Sequence, residues 1–183
     1  MKNTLVSLGL AGILMFSPVT STFSQAQPTQ AVSLEQKVSK TFPYKPVKDI
    51  ENFRQYSDDI LEIVAGKMNI KLNENIPKPT IVTEDEITLD EFNRRVSNYM
   101  IEHGFEPVYL NGMCPMYFEK ENQILLLNSS TLHSLAHEIV HYFQVQYRHE
   151  DAANDPYDAL EKEAIYVQRW FEKEHMKQTE NTR

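Results

Sequence analysis

The chain has 183 residues, of which 41% are hydrophobic and 24% charged, with a formal net charge of −8. That is enough apolar material for one catalytic domain with accessory segments. No Lys/Arg cluster stands out, and without a basic footprint to displace counterions from phosphates nucleic acid is excluded as a partner; the acidity reads as a solubility feature.

The N-terminus begins with a positive residue, Lys2, followed by a mostly apolar, uncharged run from Leu5 to Val19. Ser24-Gln25-Ala26 then offers small residues at the positions a signal peptidase reads. The pattern predicts a signal peptide over 1–26 and an exported protein, periplasmic or extracellular, with no stable membrane anchor after cleavage. The run is shorter than the ~20 residues of a membrane span. Residues 27–48, interrupted by Pro28, Pro43 and Pro46, read as a linker with a short helical piece around Leu34 to Val38.

The domain is expected over 49–177. Ile50, Phe53, Tyr56, Ile60, Ile63 and Val64 recur at helical spacing and predict a helix over 49–69. Pro77 and Pro79 close that stretch, and the β-branched Thr80-Ile81-Val82-Thr83 predicts a strand. Thr88-Leu89-Asp90-Glu91 has capping-box spacing and opens a second helix with Phe92, Val96, Tyr99 and Met100 as its stripe and Gly104 as its stop. Val108-Tyr109-Leu110 is a short strand candidate. Met116 to Phe118 and Gln123 to Leu127 form an expected hairpin across Glu119 to Asn122. Cys114, the only cysteine, excludes an intramolecular disulfide and is expected to be buried among Met113, Met116, Tyr117 and Phe118. Asn128 to Ser130 offers caps for a helix over about 131–147. Pro156 suits the first turn of another over about 156–175, and 178–183 is a polar tail. The fold class is α+β: a small sheet packed on a central helix, with further helices on one side.

The chemistry lies in His137-Glu138-Ile139-Val140-His141. At about 100° per residue, Leu132, Leu135, Ala136, Ile139 and Phe143 make one apolar stripe. His137 and His141 fall one turn apart on roughly the opposite side, where both can aim a ring nitrogen at one metal ion. Glu138 projects at a different angle, free to act on a zinc-activated water as general base. A third ligand is sought in the next helix, where Leu160, Ala164, Val167 and Phe171 form the core stripe and Glu161 and Glu163 flank it. Periodicity does not choose between those two.

The HExxH helix followed by Glu161-Lys162-Glu163-Ala164 resembles the zincin metallopeptidases, specifically the glutamate-ligand branch (gluzincins), and among them the small exported bacterial members. The resemblance covers about Ile124 to Phe171. It implies Zn2+, hydrolysis of a peptide or protein substrate, and a strand lining the cleft, for which Gln123 to Leu127 is the candidate. The Glu163-Ala164 pair is similar to thermolysin-like enzymes and favours Glu163, whereas spacing in other gluzincins favours Glu161. The Asp that commonly orients a zinc histidine in these enzymes is missing, since Val167 and Ile165 stand there, and Gln168 is the substitute candidate. Gln144 and Tyr147 stand where the metzincin Gly and third His would be.

His133 is read as a surface or capping residue, and Gln144 and Gln146 as helix surface. Tyr147, Arg148, His149, Tyr157 and Tyr166 are candidate donors to a developing oxyanion. The competing expectation is a zinc-binding or interaction domain without turnover, derived from a peptidase; a metal-free domain ranks last.

Overall fold

Periodicity places most elements correctly, and packing explains the exceptions. The computed structural model describes residues 40–43, 50–150 and 157–177, all within one structural unit, Val38–Arg183. The expected signal peptide, the helical piece around Leu34 to Val38 and the polar tail lie outside the described residues. The elements in order are β1 (Phe42–Pro43), α1 (Ile50–Lys67), β2 (Thr80–Thr83), α2 (Leu89–Glu102), β3 (Met116–Phe118), β4 (Gln123–Leu126), α3 (Leu132–Arg148), α4 (Tyr157–His175) and β5 (Met176–Lys177). None of these helices is long and apolar enough to cross a membrane.

The sheet has the order β2-β4-β3. β2 runs parallel to β4 with Thr80 opposite Gln123, and β3 runs antiparallel to β4 with Tyr117 opposite Ile124. Because strand side chains alternate between faces, β4 divides the core. Ile124 and Leu126 join Phe53, Ile60, Leu135, Ile139 and Phe171 from α1, α3 and α4. Leu125 joins Phe92 and Val96 of α2 and Phe118 of β3. All three residues are fully buried, as in a strand covered on both faces. The expectation of helices on one side is thereby corrected: α2 covers the opposite face. β4 is central, with ladder partners on both edges, so the strand with an outer edge beside α3 is β3.

Two further expectations change. Residues 40–43 are not plain linker: Phe42 is buried against Tyr56 and Phe171, and β1 pairs parallel with β5. Val108 to Leu110 is not a strand. Asn93, from α2, accepts the Leu110 N–H at 2.7 Å and donates to the Leu110 carbonyl at 3.0 Å, while Ser97 donates to the Val108 carbonyl at 2.8 Å. Side chains of a helix satisfy this extended segment in place of a neighbouring strand.

Thr88 caps α2 as expected, accepting from the Glu91 N–H at 3.1 Å. The reciprocal half of the capping box is not formed, because the Glu91 carboxylate is held by Arg94 and Arg95. Gly104, at φ 79°, ends the helix as expected.

Asn122 ties the β3–β4 turn to the approach of β2. It sits at φ 48°, a left-handed conformation that asparagine tolerates better than most residues. Its amide donates to the carbonyls of Pro77 and Lys78 at 3.0 and 3.1 Å and accepts from the Tyr117 hydroxyl at 3.0 Å. Asn122→Ala is expected to lower unfolding free energy by about 2 kcal/mol, read as a lower urea midpoint at unchanged slope. Thr88→Ala should cost about 1 kcal/mol by the same measurement.

Candidate metal centre

Helix α3 buries Leu135, Ala136, Ile139, Val140 and Phe143 and turns His137 and His141 to its less buried side. Helix α4 buries Ala164, Val167 and Phe171 against the same core. The two helices run antiparallel, with Gln144 against Leu160, His141 against Glu161 and His137 against Gln168.

Three donors converge there. The Nε2 atoms of His137 and His141 are 3.1 Å apart. Glu161 places one carboxylate oxygen 3.2 Å from the His141 Nε2 and the other 3.6 Å from the His137 Nε2. Three ligands about 2.0–2.1 Å from a four-coordinate ion stand roughly 3.3 Å apart, which matches this spacing. The side chains retain 16%, 19% and 27% exposure, so one side of the cluster remains open to solvent.

The outer nitrogens bear on how these donors face one another. His137 Nδ1 lies 2.9 Å from Gln168 Oε1, and His141 Nδ1 lies 2.9 Å from Gln144 Oε1. An amide oxygen only accepts, so with the amides in this orientation each Nδ1 supplies the proton, and a ring that is neutral then turns a lone pair inward. Two lone pairs and a carboxylate facing one point repel unless a proton or a metal ion joins them. Burial opposes charge on His141, but the Glu161 carboxylate, then Glu138, outweighs it and raises its pKa. Burial, followed by the neighbouring His141, lowers that of His137. The cluster of His137, His141 and Glu161 can hold a metal ion.

Glu163, the glutamate preferred from its Ala164 neighbour, is not in this cluster. Two residues along α4 from Glu161, it points about 200° away, where Arg148 holds it at 2.7 and 2.9 Å and Gln144 donates to it at 3.0 Å. Gln168, the substitute candidate, meets the His137 ring at Nδ1. Gln144 was missed as a site residue: it is 1% exposed, not helix surface. A polar, uncharged residue one turn beyond the second histidine was the available signal. Gln146 donates to the Tyr117 hydroxyl at 3.1 Å, so it too faces the protein.

Glu138 is 5% exposed and lies near the Tyr117 backbone of β3, whose N–H works against the rise in its pKa. Burial above all, with the Glu161 charge adding to it, pushes its pKa up to about 7. Cys114 is half-buried, and its pKa is raised by burial first and by the Glu138 charge second; the thiol stays protonated near neutral pH. His133 is also half-buried, meets Thr131 Oγ1 at 2.8 Å through Nδ1, and has its pKa lowered by burial.

Of the candidate oxyanion donors, three are engaged elsewhere. The Tyr147 hydroxyl accepts from the Asn73 N–H at 3.2 Å, Arg148 grips Glu163, and the Tyr166 hydroxyl accepts from Lys67 at 3.1 Å. His149 terminates α3 at φ 56°, and the Tyr157 side chain lies outside the described residues.

No family model matches the chain, and no curated protein or solved structure matches it. The site is therefore read from its own geometry. Divalent cobalt, used as a spectroscopic probe, should give intense visible absorption typical of a low-coordinate site. Glu161→Ala should abolish that spectrum, whereas Glu163→Ala should keep its band shape at saturating metal.

Proposed function

We propose that this chain is an exported zinc-dependent peptidase, acting on a peptide or protein substrate with Glu138 as general base. The observation that carries the reading is the convergence of two imidazole nitrogens and one carboxylate beside a buried glutamate that is not one of them. Two histidines and a glutamate suit zinc. The export reading rests on the N-terminal pattern of Lys2, the Leu5 to Val19 run and Ser24-Gln25-Ala26.

In this reading His137, His141 and Glu161 hold the ion, and Gln168 and Gln144 hold the two rings. Bound zinc supplies Lewis acidity, polarising a carbonyl and lowering the pKa of water toward about 7. Glu138 takes a proton from the attacking water and returns it to the leaving amine. Burial raises the pKa of this carboxyl in the metal-free protein, in the direction that suits a group that both takes and returns a proton. The Tyr117 N–H favours the charged form of that carboxylate. β3 has β4 as its partner among the described strands, and its other edge is a place for an extended substrate backbone to add.

A second reading, a zinc-binding domain without turnover, has one observation in its favour: Tyr147, Arg148 and Tyr166 are engaged elsewhere, and a peptidase needs a donor for the oxyanion. The two readings separate experimentally. Elemental mass spectrometry of the purified protein should find close to one zinc per chain, lost in His137→Ala. Glu138→Gln should keep the zinc and the fold while turnover of a peptide library falls by about 10²–10⁴. Zinc with no cleavage by the wild type would support the second reading; full activity in Glu138→Gln would sink the first.

A further inference from the structure

Gln144 is a primary amide in the core, and burying such a group is costly unless its atoms are bonded. Each is. Its Oε1 lies 2.9 Å from His141 Nδ1, and its Nε2 donates to the Leu160 carbonyl at 3.1 Å and to Glu163 at 3.0 Å. Glu163 is fixed in turn by Arg148, whose Nη1 donates to both carboxylate oxygens at 2.9 and 2.7 Å.

An amide can usually rotate end for end and exchange oxygen for nitrogen. Here rotation would set Oε1 against a carbonyl and a carboxylate, both acceptors. The orientation is therefore locked from the α4 side. A locked Oε1 admits only an N–H at His141 Nδ1, and a neutral imidazole carrying its proton there has an unprotonated Nε2. That Nε2 faces Glu161 and His137.

We propose that Gln144, locked by Glu163 and Arg148, is a positioning residue that fixes the tautomer of His141 and so presents its Nε2 lone pair to the metal. The proposal rests on the metal-site reading and deepens it. It also gives the second glutamate of α4 a role: Glu161 meets the ion, and Glu163 acts on the same histidine through Gln144. Both arrive together when α4 docks, so one packing event completes the ligand set and orients its second histidine.

The test begins with metal-free protein carrying 15N-labelled histidine, at alkaline pH where the rings are neutral. Long-range proton–nitrogen correlation identifies which ring nitrogen of His141 bears the proton. Wild type should show Nδ1–H. Gln144→Leu should move His141 to a mixed or Nε2–H population. Zinc dissociation constants, by competition with a chromophoric chelator, should rise about 10–100-fold in Gln144→Leu and by a smaller factor in Glu163→Ala. An Nε2–H tautomer in the wild type, or an unchanged tautomer and zinc affinity in Gln144→Leu, would overturn the proposal. If Gln144→Leu does not fold, Gln144→Met, which is unbranched and close to it in length, removes the same acceptor, and an unchanged His141 tautomer population there overturns the proposal. Because the tautomer is read without metal, failure of the lock is distinct from failure of the zinc reading, which would show as wild-type protein that takes up no zinc.

Discussion

Helices α3 and α4 lie antiparallel, and their register decides which polar groups meet. Contacts step up one helix and down the other: Gln144 with Leu160 and Glu163, His141 with Glu161, His137 with Gln168. The register itself is apolar in origin. Ala164, Val167 and Phe171 are buried against the core that α3 shares, and the small Ala164 allows close approach of the helices. Turning α4 by one residue, about 100°, would carry Glu161 off the histidines and break the Gln144 contacts together. The polar site is thus held in place by hydrophobic packing one face away, as buried stripes on paired helices generally hold what lies beside them.

Much of this was legible in the chain. The stripe of Leu135, Ala136, Ile139 and Phe143 put His137 and His141 on the other side of their helix, and the β-branched run at Thr80 to Thr83 formed its strand. What periodicity did not contain was the crossing of two elements. Glu161 and Glu163 flank one stripe symmetrically, so each is a plausible ligand when considered alone. Gln168, however, lies seven residues from Glu161 and five from Glu163. Seven residues return to nearly the same helix face, whereas five do not. Choosing the ligand and the orienting residue jointly selects Glu161 with Gln168. Similarly, a continuous apolar run at Ile124 to Leu126 marks a strand covered on both faces, but its central place between β2 and β3 is set by edges that such a run does not describe. Asn93 and Ser97 could not be read this way, because their role depends on a segment that crosses them from outside their own helix.

The amides at positions 144 and 168 also set the electrostatic character of the site. Carboxylates in those places would add negative charge behind each histidine and strengthen the rings as donors. Neutral amides orient the rings without that charge. In the zinc reading, more of the ion's charge is left for water and substrate, while affinity leans more heavily on geometry. The buried Glu138 lies close enough to Glu161 for the Glu161 charge to raise its pKa, so keeping the outer shell neutral limits the accumulation of like charge there.

The two halves of the site differ in how far apart their parts lie along the chain. His137, His141, Gln144, Glu161, Glu163 and Gln168 all belong to a single helical hairpin. Glu138, by contrast, takes its backbone partner from Tyr117 on β3, and β3 is aligned by a sheet whose parallel pair joins Thr80 to Gln123. Contacts between near neighbours in sequence form sooner than pairings that must close long loops. The cluster of His137, His141 and Glu161 can therefore come together before the sheet has brought Tyr117 beside Glu138. Under the zinc reading, holding the ion would need only the helical hairpin, whereas alignment of Glu138 would need the sheet as well, so the two would be separable.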